Sequence, residues 1–71
     1  MEVKLSTIEN SNQVFIVLAC GTHPLIKGRK LREEKLVTKV SCEDNLGNDD
    51  YEIGGEYDFA KDQVIRLEPA A

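Results

Sequence analysis

The stretch that decides the fold is a run of seven apolar residues, Val14-Phe15-Ile16-Val17-Leu18-Ala19-Cys20. Three of its members are β-branched, and turn-forming residues bound the run on both sides. A short unbroken apolar run of this kind predicts a strand that is covered on both faces. We therefore expect residues 14–20 to form an interior strand of a sheet.

The sequence on either side of this run predicts four more strands. Residues 2–8 and 35–43 alternate between apolar and polar side chains with the period of two that is typical of a half-buried strand. The apolar residues of 51–59 share one parity through Gly54-Gly55, which indicates a single strand bent or bulged at the glycines. Residues 64–67 form the last strand. We expect one mainly β domain, residues 1–71, built as a five-stranded antiparallel sheet or barrel of OB-like or SH3-like type.

Residues 21–34 are the least regular part of the chain. Gly21, Pro24 and Gly28 are turn signals within a basic stretch, so a long loop or irregular hairpin is expected. A short helix in residues 24–36 is the alternative, because Pro24 suits a first helical position and oppositely charged residues follow at i,i+4 spacing. This segment, or a second copy of the chain in a homodimer, would cover the second apolar face of residues 14–20.

Charge is strongly separated along the chain, although the net charge is only −4. Six of the nine basic residues fall in residues 23–40, which contain two acids, whereas nine of the thirteen acids fall in residues 43–68, which contain two basic residues. The two segments therefore attract either each other or different partners. If they attract each other, the two segments are solvent-exposed faces that meet across the fold.

The sequence offers no catalytic or metal-binding constellation. His23 is the only histidine, so general acid-base or nucleophilic chemistry lacks its usual set of groups. Cys20 and His23 have the spacing of half a zinc site, but no second clustered pair completes it. We expect no enzymatic activity, cofactor, metal or disulfide. The absence of a signal peptide or a long apolar segment favours a cytoplasmic location, where Cys20 and Cys42 stay reduced and pack as small hydrophobic residues.

Protein binding is the function that the charge pattern favours. An acidic face that carries aromatic side chains can pair with a basic partner surface or imitate nucleic acid, and a separate basic arm is available as well. We expect a small regulator or inhibitor, of the kind common among phages and mobile elements, that occupies a partner's surface and forms a homodimer. The predicted binding residues are Tyr51, Glu56, Tyr57 and Asp58 on the acidic side and Arg29, Lys30 and Arg32 on the basic side.

Single-stranded nucleic acid is the alternative partner, because small β-barrels bind single strands with basic grooves and aromatic stacking platforms. Gly55-x-Tyr57-x-Phe59 followed by Val64-Ile65-Arg66-Leu67 is similar to the end of small OB barrels such as the filamentous-phage single-stranded-DNA-binding proteins. The resemblance covers under a third of the chain. For this alternative function the candidate stacking residues are Tyr51, Tyr57 and Phe59, and the candidate basic residues are Lys27, Arg29, Lys30, Arg32 and Lys35. The acids that interleave these aromatics would repel phosphate.

Overall fold

A computed structural model describes residues 1–9 and 12–68 of the chain. Its strands are β1 (Glu2–Lys4), β2 (Val14–Ala19), β3 (His23–Glu33), β4 (Val37–Asp44), β5 (Glu56–Ala60) and β6 (Val64–Leu67), with a short 3-10 helix at Leu5–Thr7. All strand pairs are antiparallel, and the order in the sheet is β1-β6-β2-β3-β4-β5. The predicted mainly β antiparallel architecture is confirmed, with six strands instead of five.

The additional strand is β3, so the prediction of a loop over residues 21–34 and the alternative helix in 24–36 are both wrong. β3 lies in the interior of the sheet between β2 and β4. Gly28 sits in mid-strand where the register with β4 shifts, and a Cβ there would lie 2.5 Å from the Ser41 carbonyl oxygen. This glycine allows two backbones to approach closely at a bulge, and it is not part of a turn.

Two other predicted strands are shorter than expected. Residues 2–8 are extended only as far as Lys4, because the chain then turns into the 3-10 helix. The predicted bent strand over residues 51–59 begins only at Glu56, and the residues before it form a loop. At the glycines the chain is bulged, as predicted: Gly54 has a φ of +88°, and its amide donates to the Cys42 carbonyl while the Cys42 amide donates to the Gly55 carbonyl, both at 2.8 Å. The last strand has the predicted bounds.

The sheet is open but strongly curled, and the β5–β6 connection shows why. β5 and β6 are four strand positions apart in the sheet, about 19 Å if the sheet were flat. Only three residues join them, and the path from Ala60 to Val64 spans at most about 14 Å. The sheet therefore has to bend until its ends approach. The 3-10 helix is bonded to this connection, with the Leu5 amide donating to the Gln63 carbonyl at 2.8 Å.

The core fills the concave side of the curled sheet. Every strand from β2 to β6 contributes to it, and Leu5 and Ile8 contribute from the segment that follows β1. The buried apolar residues of this cluster are Leu5, Ile8, Phe15, Val17, Ile26, Val40, Cys42, Phe59 and Ile65. A nine-residue cluster is small, which agrees with the modest stability expected for a chain of this length.

The second face of β2 is buried only in part, whereas its apolar run predicted cover on both faces. Phe15 and Val17 point into the core. On the other face Val14 and Ile16 are half-buried, and Leu18 is only 1% exposed. Residues 21–34 do not cover this second face, because most of them belong to β3. Instead, Ile16 lies directly between Lys27 on β3 and Arg66 on β6. Long basic side chains can shield an apolar neighbour with their methylene groups, which accounts for half-burial of Ile16 without a further layer at this position.

Thr38 provides a test of core packing. Its hydroxyl is fully buried and has no hydrogen-bond partner among the described residues. A buried unsatisfied hydroxyl is destabilising, so we expect Thr38→Val to raise the free energy of unfolding by about 1 kcal/mol in urea titrations. Thr7→Val is the matched control, because the exposed Thr7 hydroxyl donates to the Lys4 carbonyl and its loss gives no gain. A lower stability for Thr38→Val contradicts this reasoning.

Candidate functional site

The structure places the seven predicted binding residues on two parts of the sheet. Arg29, Lys30 and Arg32 lie on β3, and Glu56, Tyr57 and Asp58 lie on β5, with β4 between them. Tyr51 lies in the loop that joins β4 to β5. Arg32 and Glu56 form an ion pair at 3.8 Å, so the basic and acidic groups meet across the fold. This is the arrangement expected if the two charged segments attract each other.

The basic side chains on the outer face are engaged within the molecule. Arg29 pairs with Glu43 and also donates to the Asn12 carbonyl at 2.8 Å. Arg32 pairs with Glu34 at 3.2 Å in addition to Glu56. Exposed ion pairs of this kind contribute little to stability, but they leave less basic charge free for a partner.

Lys30 differs from its two neighbours, because its side chain is only 12% exposed. Its ammonium group donates to the Ile8 carbonyl and to Glu33, both at 2.6 Å. The hydrogen bond from Lys30 lowers the pKa of Glu33, and Lys61 adds a smaller effect in the same direction. Lys30 therefore holds the end of β3 against the segment that follows the 3-10 helix.

The acidic side chains of β5 are also paired. Asp58 lies 2.6 Å from Lys39 of β4, and this hydrogen bond raises the pKa of Lys39. The sequence analysis missed Lys39 as the partner of Asp58. The two residues are nineteen positions apart, and only the β4–β5 register makes them direct neighbours.

The two tyrosines pack together at the β4–β5 loop, which we define as residues 45–55. Tyr51 belongs to this loop, and Tyr57 lies next to it on β5. Tyr51 and Tyr57 pack edge to face with ring centroids 4.8 Å apart, and both are half-buried against the core. The Tyr57 hydroxyl accepts a hydrogen bond from the Glu52 amide at 2.7 Å. Rings held in this way have little face available for stacking on a nucleobase.

The β4–β5 loop is ordered by its own polar groups. Side-chain oxygens of Asp44, Asn45 and Asn48 each accept a hydrogen bond from the backbone amide two residues ahead. The Asn45 side chain also donates to the Tyr51 carbonyl across the loop, at 3.0 Å. Asn and Asp are frequent in loops because they make such local bonds, and here they fix the course of a long connection.

This ordered loop presents an apolar residue among unpaired acids. Ile53 is 67% exposed, although its parity with Tyr51 had predicted a place in a strand. The acids Asp49, Asp50 and Glu52 have no ion-pair partner among the described residues. Sequence reasoning missed Ile53 as a candidate site residue. The signal that could have found it is its position next to Gly54-Gly55, where the alternation ends.

Groups that often carry chemistry are dispersed in this fold. Within residues 1–9 and 12–68, no three His, Cys, Asp or Glu side chains are placed to hold a metal ion. Cys42 is buried and its burial raises the pKa of its thiol, whereas Cys20 is exposed. The expectation that Cys20 packs in the interior is therefore wrong, because Cys20 has a φ of 51° at the β2–β3 turn. In the part of the chain that the structure describes, no helix could span a membrane.

The fold and this surface define a class: a small, open, curled β-sheet domain whose β4–β5 loop is ordered and acidic and exposes two apolar side chains, Ile53 and Leu46. Comparisons with family models, curated proteins and solved structures gave no significant match to the chain.

Proposed function

We propose that this protein is a non-enzymatic protein-binding module whose binding surface is centred on the β4–β5 loop. The observation that carries the proposal is Ile53, an apolar side chain that is 67% exposed in a loop whose acids Asp49, Asp50 and Glu52 have no ion-pair partner in the described structure. An exposed apolar residue on an ordered loop can insert into a partner's pocket without a large loss of conformational entropy.

The proposal moves the centre of the predicted site away from the basic residues of β3. Arg29, Lys30 and Arg32 are engaged by acids of the same chain. On the acidic side, Tyr51 and Tyr57 lie between the loop and the core, and Glu56 and Asp58 follow the loop on β5. The loop acids remain available, so the complementary partner is a protein with an apolar pocket rimmed by basic side chains.

Within this proposal the module acts as a cytoplasmic regulator or inhibitor that occupies a partner's surface, in the manner of small phage or mobile-element proteins. Occupying a surface requires shape and charge but no catalytic group, which suits a domain of this size. We also propose that the module self-associates as a homodimer.

The test is capture of partners from lysate by the immobilised protein and by two matched variants, with nuclease present. Ile53→Ser is expected to reduce the recovery of a specific partner at least tenfold, because a central apolar anchor typically contributes about 2 kcal/mol or more. Leu36→Ser is the control, since Leu36 is 82% exposed at the tip of the β3–β4 hairpin and away from the loop in sequence.

Two results would contradict the proposed surface. Equal recovery with Ile53→Ser and the unaltered protein would show that Ile53 is not part of the interface. Recovery that disappears on nuclease treatment, together with salt-sensitive binding of a single-stranded oligonucleotide, would favour the alternative nucleic-acid function.

A further inference from the structure

β1 forms one end of the sheet, and its outer edge has no neighbouring strand among the described residues. The Leu67 amide donates to the Met1 carbonyl and the Leu5 amide donates to the Gln63 carbonyl, so the odd-numbered residues of β1 direct their backbone groups toward β6. Because this direction alternates along an antiparallel strand, Glu2 directs its N–H and C=O groups, and Lys4 its N–H group, toward the open edge. An edge of this kind is a template for pairing with another strand.

We propose that a second copy of this chain binds at this edge, with the two β1 strands antiparallel about a two-fold axis at Val3. The proposal specifies the interface of the homodimer that forms part of the proposed function, but it does not depend on the β4–β5 loop. The axis makes Glu2 of one copy face Lys4 of the other, and the same pair recurs on the opposite side of the axis.

The charges of β1 select this register over its neighbours. Residues whose backbone groups face the edge must pair with each other, so Glu2 and Lys4 can meet only as Glu2 with Glu2, Lys4 with Lys4, or Glu2 with Lys4. The first two registers oppose like charges, which is destabilising in a cross-strand pair, whereas the third opposes unlike charges twice. Glu2 and Lys4 are both exposed and have no ion pair among the described residues.

The backbone geometry of β1 suits the same register. Lys4 is extended, with φ −82° and ψ 145°. Its carbonyl is already engaged, since it accepts the Thr7 hydroxyl at 2.7 Å and, as the N-cap residue, the first backbone bond of the 3-10 helix. The Lys4 amide of each copy therefore donates to the Glu2 carbonyl of the other, which forms two backbone hydrogen bonds across the axis. The two Val3 side chains then lie opposite each other as a close non-hydrogen-bonded pair, next to the core that Val3 already contacts.

The other end of the sheet does not offer an equivalent interface. β5 carries Glu56 and Asp58 on the same face, and every self-pairing that engages both residues opposes acids. Acidic side chains on an edge strand are a known protection against unwanted pairing. The chain therefore has one self-complementary edge and one self-repelling edge, which limits the assembly to a dimer and prevents an open-ended array.

The test is sedimentation equilibrium at low salt, at protein concentrations up to about 1 mM, because an edge of three residues gives a small interface and a weak dimer. The unaltered protein should show a mass that rises above 8.0 kDa with concentration. Glu2→Lys and Lys4→Glu should each weaken the association at least tenfold, because both attractive pairs become repulsive. Thermal unfolding of each variant checks that the fold is retained.

The decisive measurement is an equimolar mixture of the two variants. In β1 the Glu2→Lys chain carries two lysines and the Lys4→Glu chain carries two glutamates, so unlike charges face each other on both sides of the axis in the mixed dimer. Association should therefore return to about the level of the unaltered protein. A monomeric unaltered protein, or a mixture that stays monomeric, overturns the β1 interface. Either result leaves the Ile53 test of partner binding unaffected, since that test alters neither position of β1.

Discussion

Replacing Gly28 with alanine is expected to lower the free energy of unfolding by about 1–3 kcal/mol, the usual cost of inserting a methyl group into a packed interior. The new Cβ would lie 2.5 Å from the Ser41 carbonyl oxygen and 2.7 Å from a Val40 methyl carbon. A side chain can move aside, but the Ser41 carbonyl belongs to β4 and can move only with its strand. For a domain with only about 3–5 kcal/mol of stability, this loss approaches complete unfolding.

The measurement is urea unfolding followed by circular dichroism, with Val40→Ala as a background that separates the two contacts. Val40→Ala removes the nearby methyl group but leaves the Ser41 carbonyl in place. Gly28→Ala should therefore remain destabilising in that background. If it becomes neutral there, the side-chain contact is the cause and the close approach of the two backbones is not.

Replacing Lys30 with methionine is expected to lower the free energy of unfolding by about 1.5–3 kcal/mol, as is usual for hydrogen bonds that involve a charged group. The ammonium group is largely shielded and bonds to both the Ile8 carbonyl and Glu33. Arg32→Met is the matched control two residues away on the same strand. Its exposed pairs should contribute less than about 1 kcal/mol. Equal losses for the two variants would contradict the structural role of Lys30.

The same contact has a pH signature. Because the hydrogen bond from Lys30 lowers the pKa of Glu33 below its ordinary value of 4.5, the folded state favours the ionised carboxylate. The resulting stability is present above the unfolded-state pKa and disappears as the pH falls through the lower folded-state pKa. The thermal midpoint of the unaltered protein should therefore fall as the pH drops below about 5. In Lys30→Met this fall should be smaller, with a remainder from Lys61.

Local patterning predicted most of the strands but misjudged β3. The alternation in residues 35–43 and the short run in 64–67 mark strands that the structure confirms within two residues. Gly28 and Pro24 act as turn signals in most sequences, and here both lie where the strand register is irregular. A bulge depends on the neighbouring strand, so a single segment of sequence cannot distinguish it from a turn.

Only part of the candidate site could be predicted, because contacts between strands are again not visible in a single segment of sequence. The acidic, aromatic composition of residues 51–58 pointed to the region of the chain on which the proposed surface is centred. Strand register decides that Asp58 pairs with Lys39 and that Arg29 pairs with Glu43. Because the basic residues of β3 are engaged in such pairs, they do not lie at the centre of the proposed surface. The exposure of Ile53 follows from a loop closed by local hydrogen bonds, which parity alone cannot show.

The apolar run of residues 14–20 determined from the sequence alone that this chain is built around an interior strand of a mainly β domain. Periodicity carries that information because it records which side chains turn toward a core. Only the tertiary structure decided that one face of the run is buried, while on the other face Leu18 is buried and Ile16 lies between Lys27 and Arg66. It also decided that six strands curl into an open sheet and that the two charged segments pair. These features arise from contacts between residues far apart in the chain, which local patterns do not encode.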